Sequence, residues 1–319
     1  MTPSACGYTP DDMATSPSFY RFFRKRLTWR YLGTTLFVAG VGIVAAAWLA
    51  GGKLVAPATC VVGSPPSDLP FQTLTLESQS GAQVAAWYLP GESSGATVVL
   101  LHPFRGNRRT MLPRARLFHE RGFSVLLVDL QAHGESTGKH ITVGYLERYD
   151  VQAAVAWARQ QRPDDRIGVL GVSLGGAAAL LGSPLNVDAL VVESVYPTIN
   201  EAVDNRIAMR TGVFSKILTP VLLCQLKPRL GITTDDLRPI DHIADCDCPI
   251  LVACGDNDRH TTLDETQHLF ASAGEPKQLF IFEGAEHEDL QRFDPEKYNH
   301  SIVSFLERQL VVATCAATR

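Results

Sequence analysis

Residues 166–181 read RIGVLGVSLGGAAALL. The first seven residues are an apolar run typical of a buried strand, and the alanine-rich end is typical of a helix. Between them lies a G-x-S-x-G pattern built on Gly171, Ser173 and Gly175. In a strand–turn–helix context this pattern predicts a nucleophile elbow, in which the two glycines leave room for a tight turn and Ser173 is the nucleophile. The alternative is a glycine-rich turn with no chemistry.

Short apolar runs alternate with helical stretches on both sides of this motif. Predicted strands cover residues 71–76, 83–89, 97–102, 123–130, 166–172, 188–193, 249–253 and 278–282. Predicted helices cover residues 107–121, 151–158, 175–181, 263–273 and 298–306. Repeated β-α units predict an α/β fold with a mostly parallel sheet and helices on both faces. Residues 195–245 break the alternation and are predicted to form an insertion.

A serine hydroxyl is a weak nucleophile, so it needs a base and an acid that orients the base. In α/β-hydrolases these follow the serine in the order acid, then histidine. Asp258, just past the strand 249–253, is the predicted acid, with Asp256 as the alternative. His287, in the loop after the last strand, is the predicted base. His260 follows Asp258 too closely to be held by it, and His102, at the end of a buried strand, is predicted to be structural.

An oxyanion hole requires two backbone N–H groups. One is predicted to be that of Leu174, the residue after the nucleophile. The other should come from the loop that follows His102. Pro103 has no N–H to donate. Phe104 is therefore the predicted second donor, and Arg105 is the alternative.

Residues 31–52 contain no charged side chain and are long enough, as a helix, to cross a bilayer. A basic cluster precedes this run, so the positive-inside rule predicts a single-pass signal anchor with a cytoplasmic N-terminus and an extracytoplasmic catalytic domain. A buried core helix and a cleaved signal peptide are the alternatives. The predicted organisation is a basic segment 1–30, the transmembrane helix 31–52, a proline-rich stiff linker 53–70 and a hydrolase domain 71–312.

Charge and cysteine content exclude some other classes of protein. After residue 60 the chain carries 23 Lys and Arg against 31 Asp and Glu, which argues against binding to nucleic acid. Seven cysteines are scattered along the chain and do not form a disulfide framework, although a disulfide is compatible with an extracytoplasmic domain. Cys246 and Cys248 lack the spacing of a zinc site, so no metal is predicted.

Five segments together resemble the successive landmarks of the α/β-hydrolase superfamily. They are LLHPFRGNRR (100–109), VDLQAHGES (128–136), GVSLGG (171–176), GDNDRHT (255–261) and GAEHEDL (284–290). The chain is most similar to serine aminopeptidase-like and prolyl-oligopeptidase-like hydrolases, including bacterial membrane-anchored members, over residues 71–310. The resemblance implies an eight-stranded sheet, a helical cap formed by the insertion, and no cofactor. His102-Pro103 departs from the His-Gly of many relatives and leaves the shape of the oxyanion loop open.

The expected activity is hydrolysis of an ester, thioester or amide of a small-molecule or acyl substrate. An aminopeptidase, which would need an acidic group such as Glu193 for the substrate amine, an acyltransferase and a non-catalytic scaffold are the alternatives. Glu193 could equally pair locally. In the insertion, Leu218 and residues 221–223 are interpreted as cap core, with an acyl pocket or a membrane contact as alternatives. Arg206 and Arg210 are interpreted as a charged face, with anion recognition as the alternative. No oligomeric state is predicted.

Overall fold

The structure is a computed structural model that describes residues 17–91 and 95–311, with residues 17–28 described by their backbone alone. By compactness the chain divides into two units, Met1–Ala50 and Gly51–Arg319. The first half of the predicted basic segment, and the cysteines at positions 6 and 315, lie outside the described residues.

A sheet of eight strands forms the centre of the second unit. Its strands are β2 (Gln72–Glu77), β3 (Gln83–Leu89), β4 (Ala96–Leu101), β5 (Ser124–Val128), β7 (Arg166–Val172), β8 (Ala189–Glu193), β9 (Ile250–Gly255) and β10 (Lys277–Phe282). Their order is β10-β9-β8-β7-β4-β5-β3-β2. Only the pairs β2·β3 and β3·β5 are antiparallel, so the predicted mostly parallel, eight-stranded sheet is confirmed.

Helices cover both faces of this sheet and form the insertion. In chain order they are α1 (Pro17–Val55), α2 (Leu112–His119), α3 (Glu147–Gln161), α4 (Leu174–Leu181), α5 (Ile199–Thr211), α6 (Ser215–Leu223), α7 (Leu226–Leu230), α8 (Pro239–His242), α9 (Leu263–Ser272), α10 (Leu290–Phe293), α11 (Pro295–Tyr298) and α12 (Ser304–Leu310). A π-helical turn, Asn299–Val303, joins α11 to α12. Helices α5 to α8 lie between β8 and β9 and form the helical cap.

The central strands are apolar throughout because both faces of the sheet are covered. In β4, Val99 and Leu101 belong to the hydrophobic core on one face, while Val98 and Leu100 belong to the core on the other face. Every residue of β4 is buried. A continuous apolar run is the expected pattern for such a strand. Because β4, β7, β8 and β9 pair in parallel, their carboxyl ends lie at one edge of the sheet.

Helix α1 contains the predicted membrane-spanning run. Its stretch Trp29–Val55 is long and apolar enough to cross a bilayer, and the predicted span 31–52 lies inside it. The last turn, from Gly51 to Val55, belongs to the second unit, where the Val55 carbonyl accepts a hydrogen bond from the Ile141 N–H at 2.9 Å.

Part of the stretch predicted as a linker is packed within the second unit. Strand β1 (Ala58–Thr59) pairs in parallel with β6 (His133–Gly134). Val62 is buried, and the Val62 N–H donates to a carboxylate oxygen of Glu135 at 3.0 Å. The prolines of residues 53–70 predict a stiff segment but do not indicate that Ala58 and Thr59 pair with β6. The packing of this stretch could therefore not be predicted from the sequence.

Candidate active site

Ser173 occupies the turn between β7 and α4 in a strained backbone conformation, with φ 49° and ψ −107°. Positive φ is costly for a residue with a Cβ atom and requires support from its surroundings. The Ser173 N–H donates to the Glu193 carbonyl at 2.8 Å, and the Ser173 carbonyl accepts from the Ala177 N–H at 2.9 Å. These bonds hold the turn to the neighbouring strand and to the helix.

The glycines around the serine are required by space. A Cβ atom on Gly171 would lie 2.4 Å from the Gly176 nitrogen, and one on Gly175 would lie 2.6 Å from the Leu101 carbonyl oxygen. Gly176 was not singled out from the sequence, yet a Cβ there would lie 2.3 Å from a methyl carbon of Val195. Because Gly176 has no Cβ, Val195 in the loop after β8 can pack against the elbow.

The structure brings Ser173, His287 and Asp258 together. Nε2 of His287 lies 3.5 Å from Oγ of Ser173, and Nδ1 of His287 lies 2.7 Å from Oδ2 of Asp258. The serine contact is at the limit of a hydrogen bond. Such contacts are commonly long in enzymes without substrate and shorten when substrate binds. Asp258 lies in the loop after β9 and His287 in the loop after β10.

Asp258 is held as a carboxylate. Burial raises the pKa of Asp258, but the hydrogen bond and charge of His287 and the N–H groups of Thr261 and His260 outweigh burial and lower the pKa below its ordinary value of 3.8. These two N–H groups donate to the second carboxylate oxygen at 2.9 and 2.8 Å. An ionised Asp258 requires a proton on Nδ1 of His287 and leaves Nε2 free to accept the serine proton.

Asp256, the alternative acid, lies elsewhere. It is exposed, and Oδ1 of Asp256 accepts the Gly284 N–H at 2.6 Å. It thus fastens the loop after β9 to the loop after β10. Of the two carboxylates, Asp258 is the one that contacts His287.

The two predicted oxyanion donors lie at the start of α4 and in the turn after β4. Leu174 is the first residue of α4, and the first N–H groups of a helix have no partner inside it. Phe104 lies in the turn that the Gly106 N–H closes on the Pro103 carbonyl at 2.9 Å. Arg105, with φ 58°, is the other central residue of this turn. Leu174 and Phe104 stay the predicted donors.

His102 is a structural residue beneath this turn. Its ring is fully buried; Nε2 accepts the Leu130 N–H at 3.0 Å and Nδ1 lies 2.8 Å from the Pro103 carbonyl. Burial and the nearby His133 lower the pKa of His102 from 6.5 to about 3. A neutral imidazole with its proton on Nδ1 fits both contacts, so His102 links the loop after β4 to the loop after β5.

Glu193 is engaged in a buried polar cluster. Its two carboxylate oxygens bind the Tyr298 hydroxyl at 2.5 Å and the Arg114 guanidinium at 2.8 Å. Arg114 also contacts Asp289, two residues after His287, at 2.9 Å. Glu193 therefore pairs locally, which is the alternative that the sequence analysis gave for it. Arg114 connects Glu193, at the end of β8, to Asp289 in the loop that follows His287. Arg114 was missed because an arginine in a helix ordinarily indicates a solvent-facing position.

His260 is a second residue whose place the sequence did not reveal. Its ring stacks on that of His287, with centroids 4.8 Å apart and planes 9° from parallel. The backbone carbonyl of His260 lies 3.4 Å from the Arg206 guanidinium. Burial, Arg206 and His287 lower the pKa of His260. The His260 ring covers one face of the His287 imidazole.

Comparisons with known proteins support the fold described above. A family model described as X-Pro dipeptidyl-peptidase (S15 family) matches residues 81–227, a range that includes Ser173 but ends before Asp258. The Pyrococcus furiosus esterase Pf2001 superposes with a TM-score of 0.66 and 23% identity, over 81% of this chain and 98% of the esterase. The chain has the α/β-hydrolase fold.

Two further proteins resemble this chain. XC6422 from Xanthomonas campestris, an α/β serine hydrolase without a lid, superposes with a TM-score of 0.53 and 19% identity, over 79% of this chain and 99% of that one. The uncharacterized protein Rv2307c of Mycobacterium tuberculosis is 28% identical over 278 residues, or 85% of this chain and 92% of the relative. The family model and the esterase neighbours support the prediction of a hydrolase enzyme.

Proposed function

We propose that this α/β-hydrolase is a serine hydrolase that cleaves an ester, thioester or amide bond through an acyl-enzyme. The observation that carries the proposal is the chain of contacts from Ser173 through His287 to Asp258, at 3.5 and 2.7 Å. The strained backbone of Ser173 adds support, since strain of this kind clusters at active sites.

The proposed reaction has two halves. As Oγ of Ser173 bonds to the carbonyl carbon, its proton passes to Nε2 of His287, and the N–H groups of Leu174 and Phe104 bind the developing oxyanion. His287 then returns the proton to the leaving alcohol, thiol or amine. A water molecule, deprotonated by His287, attacks the acyl-enzyme, and release of the acid restores the serine hydroxyl. Asp258 orients His287 and stabilises its charged form in both halves.

Labelling with a fluorophosphonate probe tests the nucleophile. Ser173→Ala should abolish labelling of the full chain in detergent. Ser194→Ala is the matched control, because Ser194 is also a buried serine near the end of β8 and its hydroxyl has no partner among the described residues. Labelling that persists in Ser173→Ala, or disappears in both variants, would contradict the assignment.

The acid is tested by a second pair of variants. Asp258→Asn should lower kcat on the order of 10⁴-fold, since an amide partner favours the wrong tautomer of the histidine. Asp256→Asn should leave kcat near that of the unmodified protein because Asp256 binds a loop N–H and does not contact His287. A large loss of kcat in Asp256→Asn, with little change in Asp258→Asn, would identify Asp256 as the acid that orients His287.

Ester or thioester cleavage is favoured over peptide cleavage. The esterase neighbours support it, and Glu193, the acidic group considered for a substrate amine, is already bound to Arg114 and Tyr298. The match to a peptidase family model keeps an aminopeptidase as the second candidate. A panel of p-nitrophenyl esters, acyl thioesters and aminoacyl anilides separates the candidates, and preferred turnover of the anilides would overturn the first.

We also propose that α1 anchors the protein in a membrane, with the N-terminus in the cytoplasm and the catalytic unit outside. The apolar stretch Trp29–Val55 supports the span, and the preceding basic residues support its direction. Protease added to intact cells should degrade the catalytic unit. Protection that ends only when the cells are lysed would reverse the orientation.

A further inference from the structure

The turn after β9 holds two groups in place around the candidate base. Oδ2 of Asp258 lies 2.7 Å from Nδ1 of His287. Oδ1 of the same carboxylate accepts the backbone N–H groups of His260 and Thr261 at 2.8 and 2.9 Å. Because Asp258 is buried and makes all three contacts, it orients the edge of the His287 ring and also determines where the His260 backbone lies.

The His260 ring lies flat against the His287 ring, with centroids 4.8 Å apart and planes 9° from parallel. This separation between parallel rings corresponds to an offset stack, which aromatic rings favour. The contact with Asp258 restrains one atom of the His287 ring, Nδ1, and leaves the ring able to tilt about it. A tilt would displace Nε2, which lies 3.5 Å from Oγ of Ser173. A parallel ring against the face of the base opposes that displacement.

The backbone of His260 is held from both directions along the chain. On one side is the hydrogen-bonded turn at Asp258, and on the other is the start of α9, where Glu265 accepts the Thr262 N–H at 2.9 Å. Helix α5 of the cap is bonded to the same point, since Nδ2 of Asn205 donates to both carboxylate oxygens of Glu265 at 2.7 and 2.9 Å. The His260 ring therefore extends from a segment with little freedom to move.

The charge of the base changes during the proposed reaction. When Nε2 of His287 takes the serine proton, the ring becomes an imidazolium, and an uncharged aromatic face stabilises a cation that lies against it. The charged groups around His260 are Arg206 and Arg210 on α5, together with Asp258 and His287. Burial, Arg206 and His287 lower the pKa of His260; Arg210 also lowers it, and Asp258 opposes them. The net lowering favours the uncharged ring relative to a histidine in water.

We propose that His260 is a positioning residue for acyl transfer: its ring holds Nε2 of His287 toward Ser173 and stabilises the imidazolium that forms there. The inference rests on the proposed function, since it takes His287 as the base. The His260 ring nitrogens have no hydrogen-bond partner among the described residues. The part of the side chain that acts is therefore its flat face, and it acts through the His287 ring.

Three substitutions at position 260 separate a stacked ring from a filled space. His260→Phe keeps a flat ring, His260→Leu keeps much of the volume without a flat face, and His260→Ala removes both. His268→Ala is the matched control, because His268 is an exposed histidine on α9. The values of kcat and KM are measured for the full chain in detergent with p-nitrophenyl acetate, and thermal unfolding of each variant checks the fold.

His260→Leu and His260→Ala should lower kcat on the order of 10-fold, the size of an aromatic or cation–π contact, with KM little changed. His260→Phe should restore most of the loss, and His268→Ala should have no effect. A kcat of His260→Phe as low as that of His260→Leu would overturn the proposal, because the space would then matter and the flat face would not.

A second measurement distinguishes positioning of the base from a merely structural role. In His287→Ala the residual hydrolysis no longer uses the base, so adding His260→Ala should lower it no further. The same loss in both backgrounds would overturn the proposal. Unchanged kcat in all three variants at position 260 would overturn it too, while leaving Ser173 as the nucleophile. Fluorophosphonate labelling that persists in Ser173→Ala would instead refute the proposed function, and this inference with it.

Discussion

The burial of His102 predicts how the stability of the protein responds to acid. Its pKa lies at about 3 in the folded protein and near 6.5 when unfolded. A folded-state pKa below the unfolded one contributes stability that is present above pH 6.5 and is lost as the pH falls toward 3, because only the unfolded chain binds the proton. Between pH 7 and pH 5 this loss amounts to about 2 kcal/mol.

Asp150 acts in the opposite direction. Burial, with a further contribution from the charge of Glu147, raises the pKa of Asp150 from 3.8 to about 7. A raised folded-state pKa contributes stability at low pH that is lost as the pH rises through 7. Lowering the pH from 7 to 5 therefore adds about 2 kcal/mol from this carboxyl. The two groups nearly cancel.

Variants separate the two contributions. In His102→Gln the gain from Asp150 is unopposed, so the free energy of unfolding should rise by about 2 kcal/mol from pH 7 to pH 5 relative to the unmodified protein. In Asp150→Asn it should fall by about the same amount. Each replacement also lowers stability at a single pH by removing hydrogen bonds, so the slope against pH is the informative quantity.

Urea titrations of the full chain in detergent, followed by the fluorescence of the buried Trp87, measure the free energy of unfolding at several pH values. Parallel pH curves for the unmodified protein and both variants would refute the reasoning, since they would mean that neither group changes its pKa on folding.

Two further predictions concern the elbow and the buried polar cluster. Gly176→Ala should lower both thermal stability and fluorophosphonate labelling, because its Cβ would lie 2.3 Å from Val195; Gly274→Ala, which meets nothing within 4 Å, should change neither. Arg114→Met should destabilise the protein by about 3–5 kcal/mol, since it leaves the carboxylate of Glu193 buried without its cation. Adding Glu193→Gln to Arg114→Met should recover part of that loss in thermal unfolding, and no recovery would contradict this explanation.

The sheet could be predicted because its central strands are buried on both faces. The predicted strands 83–89 and 166–172 coincide with β3 and β7, and the other strands agree within about two residues. The helix predicted at 107–121 is shorter, because the Asn107 side chain caps a 3₁₀ turn and Pro113 lies in the first turn of α2. Local capping of this kind determines helix ends and is weakly visible in periodicity.

The order of residues along the chain identified the candidate triad. Which neighbouring residues contact its members is seen only in the structure. Spacing from the end of the strand favoured Asp258 over Asp256, and in the structure the loop after β9 directs Asp258 to His287 and Asp256 to the Gly284 N–H. His260 was set aside as a base for sound reasons of spacing, yet the same turn brings its ring against His287. Sequence spacing indicates which residues can reach a site and leaves undetermined which of them pack there.

The C-terminal end of α1 and the loop that carries Phe104 are joined by a hydrogen bond. The Arg105 guanidinium donates to the Lys53 carbonyl, near the C-terminus of a helix, where a cation is favourable. Arg109 donates to the carbonyls of residues 62 and 64, at 2.7 and 2.9 Å. A chain that begins after residue 64 lacks these acceptors, and the turn holding the Phe104 N–H then loses its outer support. Residues 53–64 therefore belong to the architecture of the second unit.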